Sequence, residues 1–517
     1  MKFISFFFLV ITALVFGQTN TINIQADEPG HIISRDIYGQ FSEHLGRGIY
    51  GGIWVGYDSE IANTRGIRND VVAALKEANI PNVRWPGGCF ADEYHWMDGI
   101  GNPADRPKTV NTTWGGVTED NSFGTHEFMD LCEQLNCEPV ICGNVGSGTV
   151  NEMSDWLQYL TSNGDDPMAK LRRANGREKP WEIKYWGIGN ESWGCGGIMS
   201  SEFYSNESAR YSFFAKSYGE EPLYKILSGG LPENYEWTET IMKKWSETDG
   251  WLQGYMSGYS LHFYTVNDWN HKGSATNFNE DDWFATISRT LTMDELITKH
   301  TAIMDKYDPD KKIGLIVDEW GNWFDVEPET NPAFLYQQNS LRDAMVAALN
   351  LNIFHKHERV QMANIAQMVN VLQSLILTDK EEMVLTPTYY VFKMFNDFQD
   401  ANYLPIELTS EKYSHGNDSI YALSSSCAIT NDNKIILSLV NVSPTKSIDV
   451  ICSLNGIASQ NISGEILTAE IMNAYNTFDN PDNVKPENFS DFLVTEDGTL
   501  SVDLPSKSIV VLKWIKE

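Results

Sequence analysis

The stretch Ile313-Gly314-Leu315-Ile316-Val317-Asp318-Glu319-Trp320 runs apolar without alternation and then ends in two carboxylates. A continuous, largely β-branched run of this length is a strand covered on both faces, as in a parallel sheet flanked by helices. Acidic residues at its finish have left the covered part and face a rim. Seven other runs share this texture: Ile37–Glu43, Val83–Gly88, Pro139–Asn144, Lys184–Glu191, Lys225–Gly230, Gly258–Tyr264 and Asn364–Asn370. Eight strand–helix alternations spell an α/β fold of the (β/α)8 TIM-barrel type.

Between these runs, apolar residues at three- and four-residue spacing predict helices over Asp70–Ala78, Thr125–Leu135, Ser201–Lys216, Glu236–Ser246, Met293–Tyr307 and Pro332–Leu351. After about Tyr403 the texture changes to short alternating strands broken by Asn, Asp, Ser and Gly: Ser419–Ala428, Lys434–Val442, Ile448–Leu454 and Ser508–Trp514. This is the pattern of a jelly-roll-like β-sandwich. Thr21–Ala26 also alternates and lies outside the barrel, so it is expected to pair with that sandwich. The expected organisation is a signal peptide at 1–17, an N-terminal strand segment at 18–35, a catalytic barrel at 36–402 and the sandwich at 403–517.

A chain of 517 residues, 42% hydrophobic and 12% aromatic, has material both for a barrel core and for aromatic walls around a ligand such as a sugar. Its 38 Lys+Arg against 70 Asp+Glu give a net charge of −32 that repels phosphate backbones and anionic lipid headgroups. Nucleic acid and membrane surfaces are therefore not expected partners. The apolar run Phe3–Phe16 after Met1-Lys2 has the length of a signal-peptide core rather than a membrane span, and a secreted or periplasmic protein is expected. Seven cysteines argue against a disulfide framework; at most Cys427 and Cys452 are expected to pair. His355-Lys356-His357-Glu358 precedes strand eight, on the barrel's stability face, and reads as a solvated helix end rather than a metal cluster.

Barrel enzymes place their reactive groups at the C-terminal ends of strands. Here those ends are Glu43-His44, the run Arg84-Trp85-Pro86-Gly87-Gly88-Cys89, Asn144, Gly189-Asn190-Glu191, His262-Phe263-Tyr264, Asp318-Glu319-Trp320 and Gln367. Glu191 and Glu319 finish strands four and seven, on roughly opposite sides of the mouth. Two carboxylates flanking a glycosidic bond are what acetal hydrolysis needs, one protonated to assist departure and one ionised to attack or to activate water.

The motifs Phe41-Ser42-Glu43-His44-Leu45-Gly46-Arg47, Arg84 to Cys89, Trp96-Met97-Asp98-Gly99-Ile100-Gly101, Gly189-Asn190-Glu191, Asp318-Glu319-Trp320 and Ile365-Ala366-Gln367-Met368-Val369-Asn370 together resemble glycoside hydrolase family 51, the α-L-arabinofuranosidases. The resemblance implies a retaining barrel enzyme with a β-sandwich, with Glu191 as general acid/base and Glu319 as nucleophile. It implies sugar contacts at Glu43, Arg84, Cys89, Trp114, Asn190, Tyr264 and Gln367; His262, at the end of strand six, joins the expected binding set. It further implies terminal arabinofuranosyl units of plant polysaccharides or oligosaccharides as substrate, no cofactor, no metal, and a homo-oligomer. One departure stands out. Many relatives follow Gly-Asn-Glu with Met-Asp-Gly, whereas here Glu191 is followed by Ser192-Trp193-Gly194-Cys195-Gly196-Gly197, beside the leaving-group side. Thr265–Ile287, with Trp269, Phe278 and Trp283, is expected to wall that side. Two rival readings remain, an endo-glucanase, xylanase or β-xylosidase on the same scaffold and a non-catalytic carbohydrate-binding protein. A closed pocket rather than an open cleft distinguishes the exo reading from the endo one.

Overall fold

In the computed structural model, which describes residues 20–248, 254–455, 459–495 and 499–516, eight strands close into a barrel. They are strand one (Gly39–Phe41), two (Asn82–Trp85), three (Glu138–Gly143), four (Tyr185–Ile188), five (Tyr224–Leu227), six (Gly258–Thr265), seven (Gly314–Asn322) and eight (Val360–Ala366). All neighbouring pairs are parallel, and strand eight closes on strand one with Asn364 opposite Gly39. Each of the eight runs read from the sequence overlaps one of these strands, though strand eight begins at Val360, four residues before its run, and ends at Ala366, leaving Gln367–Asn370 beyond it. Strand one is shorter than its run because Arg35–Tyr38 forms a 3-10 turn. Val140, Tyr185, Ile226, Ile316 and Met362 fill the barrel interior. Burial of each such side chain contributes about 1.5–3 kcal/mol.

The helix expected over Pro332–Leu351 starts later, at Leu341, and runs to Lys356. Pro332–Phe334 is a single 3-10 turn ended by Leu335 in the left-handed region (φ 51°). The true start is capped where Ser340 N–H donates to the Asp343 carboxylate at 2.7 Å. The helix expected over Met293–Tyr307 instead begins at Glu280, capped by Asn279 and Asp282. Its first half carries Thr286, Thr290 and Thr292, whose low helix propensity disguises it. Three further helices, Val150–Thr161, Pro167–Ala174 and Pro387–Met394, lie outside the segments the sequence pattern predicts as helical.

Beyond the barrel, two antiparallel-rich sheets stack. One has the order Ile406–Thr409, Asn20–Gln25, Ile448–Asn455, Thr499–Leu504, Phe492–Val494; the other is Asn402–Leu404, Leu423–Ile429, Lys434–Asn441, Ser508–Lys516, Ser459–Leu467, Glu487–Asn488. Asn20–Gln25 lies parallel to Ile448–Asn455. The helix Leu341–Lys356 is buried from Leu341 to His355 because it is clamped between barrel and sandwich. Asn352 and His355 bond Ser424, Ser438 and Ser426 of the sandwich. His355 is thus no part of a solvated helix end: it is fully buried and also meets the Tyr38 hydroxyl at 2.8 Å. Cys427 and Cys452 are buried and unpaired, which corrects the expected bridge between them.

Candidate active site

Strand seven carries the centre of the site. Successive residues of a regular strand face opposite sides, yet Asp318 and Glu319 both reach the barrel mouth. The register shifts between Val317 and Trp320 on one side and between Ser260 and His262 on the other. Such irregularities re-aim side chains. Glu319 accepts from Arg84 Nη1 at 2.9 Å on one oxygen and from the Tyr264 hydroxyl at 2.9 Å on the other. Arg84 Nη2 donates to the Asn190 side-chain oxygen at 2.6 Å, and its Nε lies 3.3 Å from Asp318. At Gly88 a Cβ would sit 2.5 Å from a Glu319 oxygen, so any larger residue there would push the Glu319 carboxylate out of this position.

His262 stands between three carboxylates. Its Nδ1 is 2.9 Å from Glu191 Oε1 and 3.5 Å from Glu319 Oε2, and its Nε2 is 3.3 Å from Asp318. Burial by itself would lower this imidazole, but Glu319 and Asp318 outweigh it and raise the group to about 10, an imidazolium at neutral pH. Asp318, also buried, is held below the ordinary carboxylate range by Arg84 and His262. One oxygen each of Glu191 and Glu319 and a ring nitrogen of His262 lie within 4.8 Å of one another.

Glu43 forms the other wall. One oxygen accepts the backbone N–H groups of Gly88 and Phe90 at 3.0 Å, and the other accepts Gln367 Nε2 at 3.2 Å. Burial, then repulsion from Glu319, raises this carboxyl to about 7 despite the Phe90, Trp114 and Arg84 contacts that oppose the shift. Glu43, Cys89, Trp114, Glu191, Tyr264, Glu319 and Gln367 line one cavity of about 70 Å³, closed by Leu45, Leu335, Leu372 and Trp323. A larger cavity of about 470 Å³ near Ser212, Lys216 and Lys225 lies toward the N-terminal end of strand five, on the opposite face.

Glu191 sits past the end of strand four with φ 37°, its side chain 19% exposed. The loop after it folds back, Gly194 and Gly196 donating to the Glu191 carbonyl. At Gly196 a Cβ would come 1.9 Å from the Asn190 carbonyl, so no other residue fits. Cys195 of this loop is disulfide-bonded to Cys89 of the strand-two loop. The expected pairing was therefore misplaced, and Cys89, which lines the pocket, is not a free thiol. The bridge ties the loop bearing Glu191 to the loop packed on Glu43, and Cys195 Sγ lies 3.7 Å from Glu191 Oε2.

Of the expected site residues, Glu43, Arg84, Cys89, Trp114, Asn190, Glu191, His262, Tyr264, Glu319 and Gln367 converge on this one pocket or on its immediate partners. Two other strand-end residues do not. His44 turns into an aromatic cage of Tyr50, Trp85, Phe90 and Tyr94, and Asn144 braces the turn at Ser147 and Gly148. Of the three wall aromatics, Trp283 is buried beneath the sandwich and Phe278 stacks on Arg342, leaving Trp269 at the rim. Trp269 meets Trp323 edge-on, and Trp323 meets Tyr264 in the same way. Sequence reasoning missed Trp323, Asp318 as a partner of His262, and Asp92. Asp92 is buried and accepts the backbone N–H groups of Val145, Gly146 and Asn190 at 2.7–2.9 Å, holding the Asn190-Glu191 turn.

Two family models match the chain: the α-L-arabinofuranosidase 1 domain over residues 74–282 and the α-L-arabinofuranosidase C-terminal domain over residues 318–508. The chain is 53% identical over 496 residues, 95% of each protein, to an intracellular exo-α-L-arabinofuranosidase of Bacteroides ovatus. It is 30% identical over 515 residues to α-L-arabinofuranosidase C of Emericella nidulans, covering 95% of this chain and 97% of that one. The GH51 arabinofuranosidase structure from Xanthomonas axonopodis pv. citri superposes with TM-score 0.94 at 50% identity, covering 96% of this chain and all of that one. A bifunctional glucanase-xylanase from a metagenome library superposes at TM-score 0.61 with 12% identity, a likeness of fold alone. The Bacteroides ovatus relative overturns the expectation of a secreted or periplasmic protein, since a protein alike over nearly its whole length is named intracellular. That expectation rested only on the apolar composition of Phe3–Phe16, which lies outside the described residues; among those, no helix is long and apolar enough to cross a membrane. The matched family models and these full-length likenesses establish that the chain belongs to the α-L-arabinofuranosidases of glycoside hydrolase family 51.

Proposed function

We propose that this enzyme removes terminal, non-reducing α-L-arabinofuranosyl units from arabinan- or arabinoxylan-type glycans by double displacement, with Glu319 as nucleophile and Glu191 as general acid/base. The observation that carries the mechanism is the approach of the Glu191 and Glu319 carboxylate oxygens to within 4.8 Å. Retaining glycosidases hold their carboxyl groups about 5–5.5 Å apart, and inverting ones about 6.5–9.5 Å to admit a water. Arg84 and Tyr264 each donate to one oxygen of Glu319, which holds the carboxylate aimed. In the first step a Glu319 oxygen forms a bond to the anomeric carbon while Glu191 gives its proton to the departing glycosidic oxygen. In the second, Glu191 takes a proton from water, the water oxygen bonds the anomeric carbon, and the Glu319 ester bond breaks. His262 occupies Glu191 Oε1, leaving Oε2 to carry the transferred proton.

Glu43, Asn190 and Gln367 offer hydrogen-bonding groups to sugar hydroxyls, and Trp114 with Leu335 and Leu372 supplies an apolar wall. The smallness of the pocket supports an exo enzyme that admits a single furanosyl unit, and it speaks against an open endo cleft. The barrel at 36–402 performs the chemistry on this reading, and the sandwich at 403–517 braces it. A hydrolysis screen with aryl α-L-arabinofuranoside, aryl β-xyloside and β-glucan tests the assignment. Turnover of the first substrate is expected and should vanish in Glu319→Gln; turnover of β-glucan without the first contradicts the reading.

A further inference from the structure

A second cavity, of about 380 Å³, lies behind the wall of the catalytic pocket, lined by Arg47, Asn331, Phe334, Tyr336, Asn370 and Phe478 among others. Three segments build both cavities with neighbouring side chains. Leu45 lines the catalytic pocket and Arg47 the second cavity; Leu335 faces the first, with Phe334 and Tyr336 on the second; Leu372 lines the first and Asn370 the second. These segments follow strands one, seven and eight, so the second cavity opens on the same C-terminal rim. It lies on the opposite side of the mouth from Glu191 and strand four, and it shares no lining residue with the catalytic pocket. The sandwich contributes Phe478 through an excursion anchored on the barrel rim, where Asn473 donates to the Thr276 carbonyl and Asn476 to the Leu385 carbonyl, each at 2.8 Å.

We propose that this cavity is a non-catalytic sugar-binding site that holds a second, neutral sugar unit of the glycan whose terminal unit occupies the catalytic pocket. The inference rests on the assignment of an arabinose-bearing glycan as substrate. Its two formal charges, Arg47 and Asp379, pair with each other at 3.3 Å, so the cavity favours neither anion nor cation. Phe334, Tyr336 and Phe478 give the cavity an aromatic lining, of the residue type that packs against the C–H face of a sugar. Among the described residues, the Tyr336 hydroxyl and the Asn331 side-chain nitrogen have no hydrogen-bond partner, so both are available to sugar hydroxyls. The floor is fixed in advance: buried Asn370 donates to the Arg47 carbonyl and to Thr378 Oγ1 and accepts the Thr378 N–H, while Arg47 donates to the Thr378 carbonyl at 2.5 Å. A floor already satisfied adds little ordering cost on binding. The volume falls within the range of about 300–1,000 Å³ typical of small-molecule sites.

Calorimetric titration of the inactive Glu319→Gln protein with an arabino-oligosaccharide of several units should give one oligosaccharide per chain, held through both cavities, and Phe478→Ala in that background should weaken its binding about three- to tenfold without changing the stoichiometry. In the active enzyme, Phe478→Ala should raise KM on arabinan about three- to tenfold, the value of one lost aromatic contact, with kcat/KM on aryl α-L-arabinofuranoside unchanged. Asn331→Asp keeps the oxygen that caps the turn at Ala333 and removes the free amide donor, so it repeats the test should Phe478→Ala fold poorly. Titration with L-arabinose alone separates sources: binding that Phe478→Ala leaves unchanged identifies a chain unit, and a second L-arabinose site lost in Phe478→Ala, which identifies a free sugar, overturns the glycan-unit assignment. Oligosaccharide affinity unchanged by Phe478→Ala in Glu319→Gln, or an unchanged arabinan KM in Phe478→Ala or Asn331→Asp, overturns the inference. Absence of any binding together with no aryl turnover would instead refute the substrate assignment on which it rests.

Discussion

Replacing Glu43 with glutamine should change how stability depends on pH as well as how fast the enzyme works. In the folded protein burial and Glu319 raise the Glu43 carboxyl from 4.5 to about 7. The folded state therefore binds the Glu43 proton more tightly than the unfolded chain, so the stability this group contributes is fully present below about 4.5 and is lost as pH rises toward about 7. At about 1.4 kcal/mol per pH unit that loss amounts to about 3 kcal/mol. Glu43→Gln cannot titrate and should lack it. The amide also meets a local constraint. Its oxygen is needed by the Gly88 and Phe90 N–H groups, which turns its NH2 toward Gln367 Nε2 and leaves two donors facing each other. That mismatch costs about 1–3 kcal/mol. Urea unfolding at pH 4.5 and pH 8 should thus find the variant clearly weaker at the lower pH, with the gap narrowing by about 3 kcal/mol or reversing at the higher. Activity should fall yet stay measurable. Parallel pH profiles for the two proteins would refute the account of Glu43, and complete loss of turnover in Glu43→Gln with a working Glu319→Gln would exchange their roles.

Three other outcomes follow from the same geometry. Glu191→Ala should lose most activity on substrates with poor leaving groups and least on activated aryl glycosides, with azide partly restoring the latter; equal loss on both would count against the acid role. Cys195→Ser should free the loop bearing Glu191, lowering kcat and, by the loop-closure estimate, stability by about 3–5 kcal/mol; wild-type kcat and melting temperature would show that the bridge to Cys89 positions nothing. Trp269, 55% exposed at the end of the aromatic run from Tyr264 through Trp323, should govern the leaving-group side. Trp269→Ala should weaken kcat/KM on arabinan more than on an aryl substrate, and an equal effect on both would place Trp269 outside that side.

The barrel was legible because each parallel strand is covered on both faces and shows as an unbroken apolar run, as in Leu315-Ile316-Val317. Its rim was legible because polar residues end those runs. What escaped depends on contacts between distant segments. Cys89 and Cys195 are 106 residues apart, and neither spacing nor count marks them as partners. Asp92 shows in sequence as an ordinary acidic residue after Phe90-Ala91, and only the fold brings three N–H groups to it. That Asp318 and Glu319 share a face follows from register shifts against both neighbouring strands, which no pattern within strand seven reveals. Helix Val150–Thr161 did carry a signal: Thr149 followed three residues later by Glu152 is a capping pattern, and the Thr149 hydroxyl accepts the Glu152 N–H at 3.1 Å.

The most direct test of the central claim is the anomeric configuration of the sugar when it first leaves the enzyme. The Glu191 and Glu319 oxygens lie within 4.8 Å, and the double displacement proposed on that spacing passes through a covalent arabinosyl ester on Glu319. Rapid proton NMR of the released arabinose, read before mutarotation, should show the configuration of the substrate retained. Initial release of the opposite anomer would contradict the double displacement and the roles given to both carboxylates.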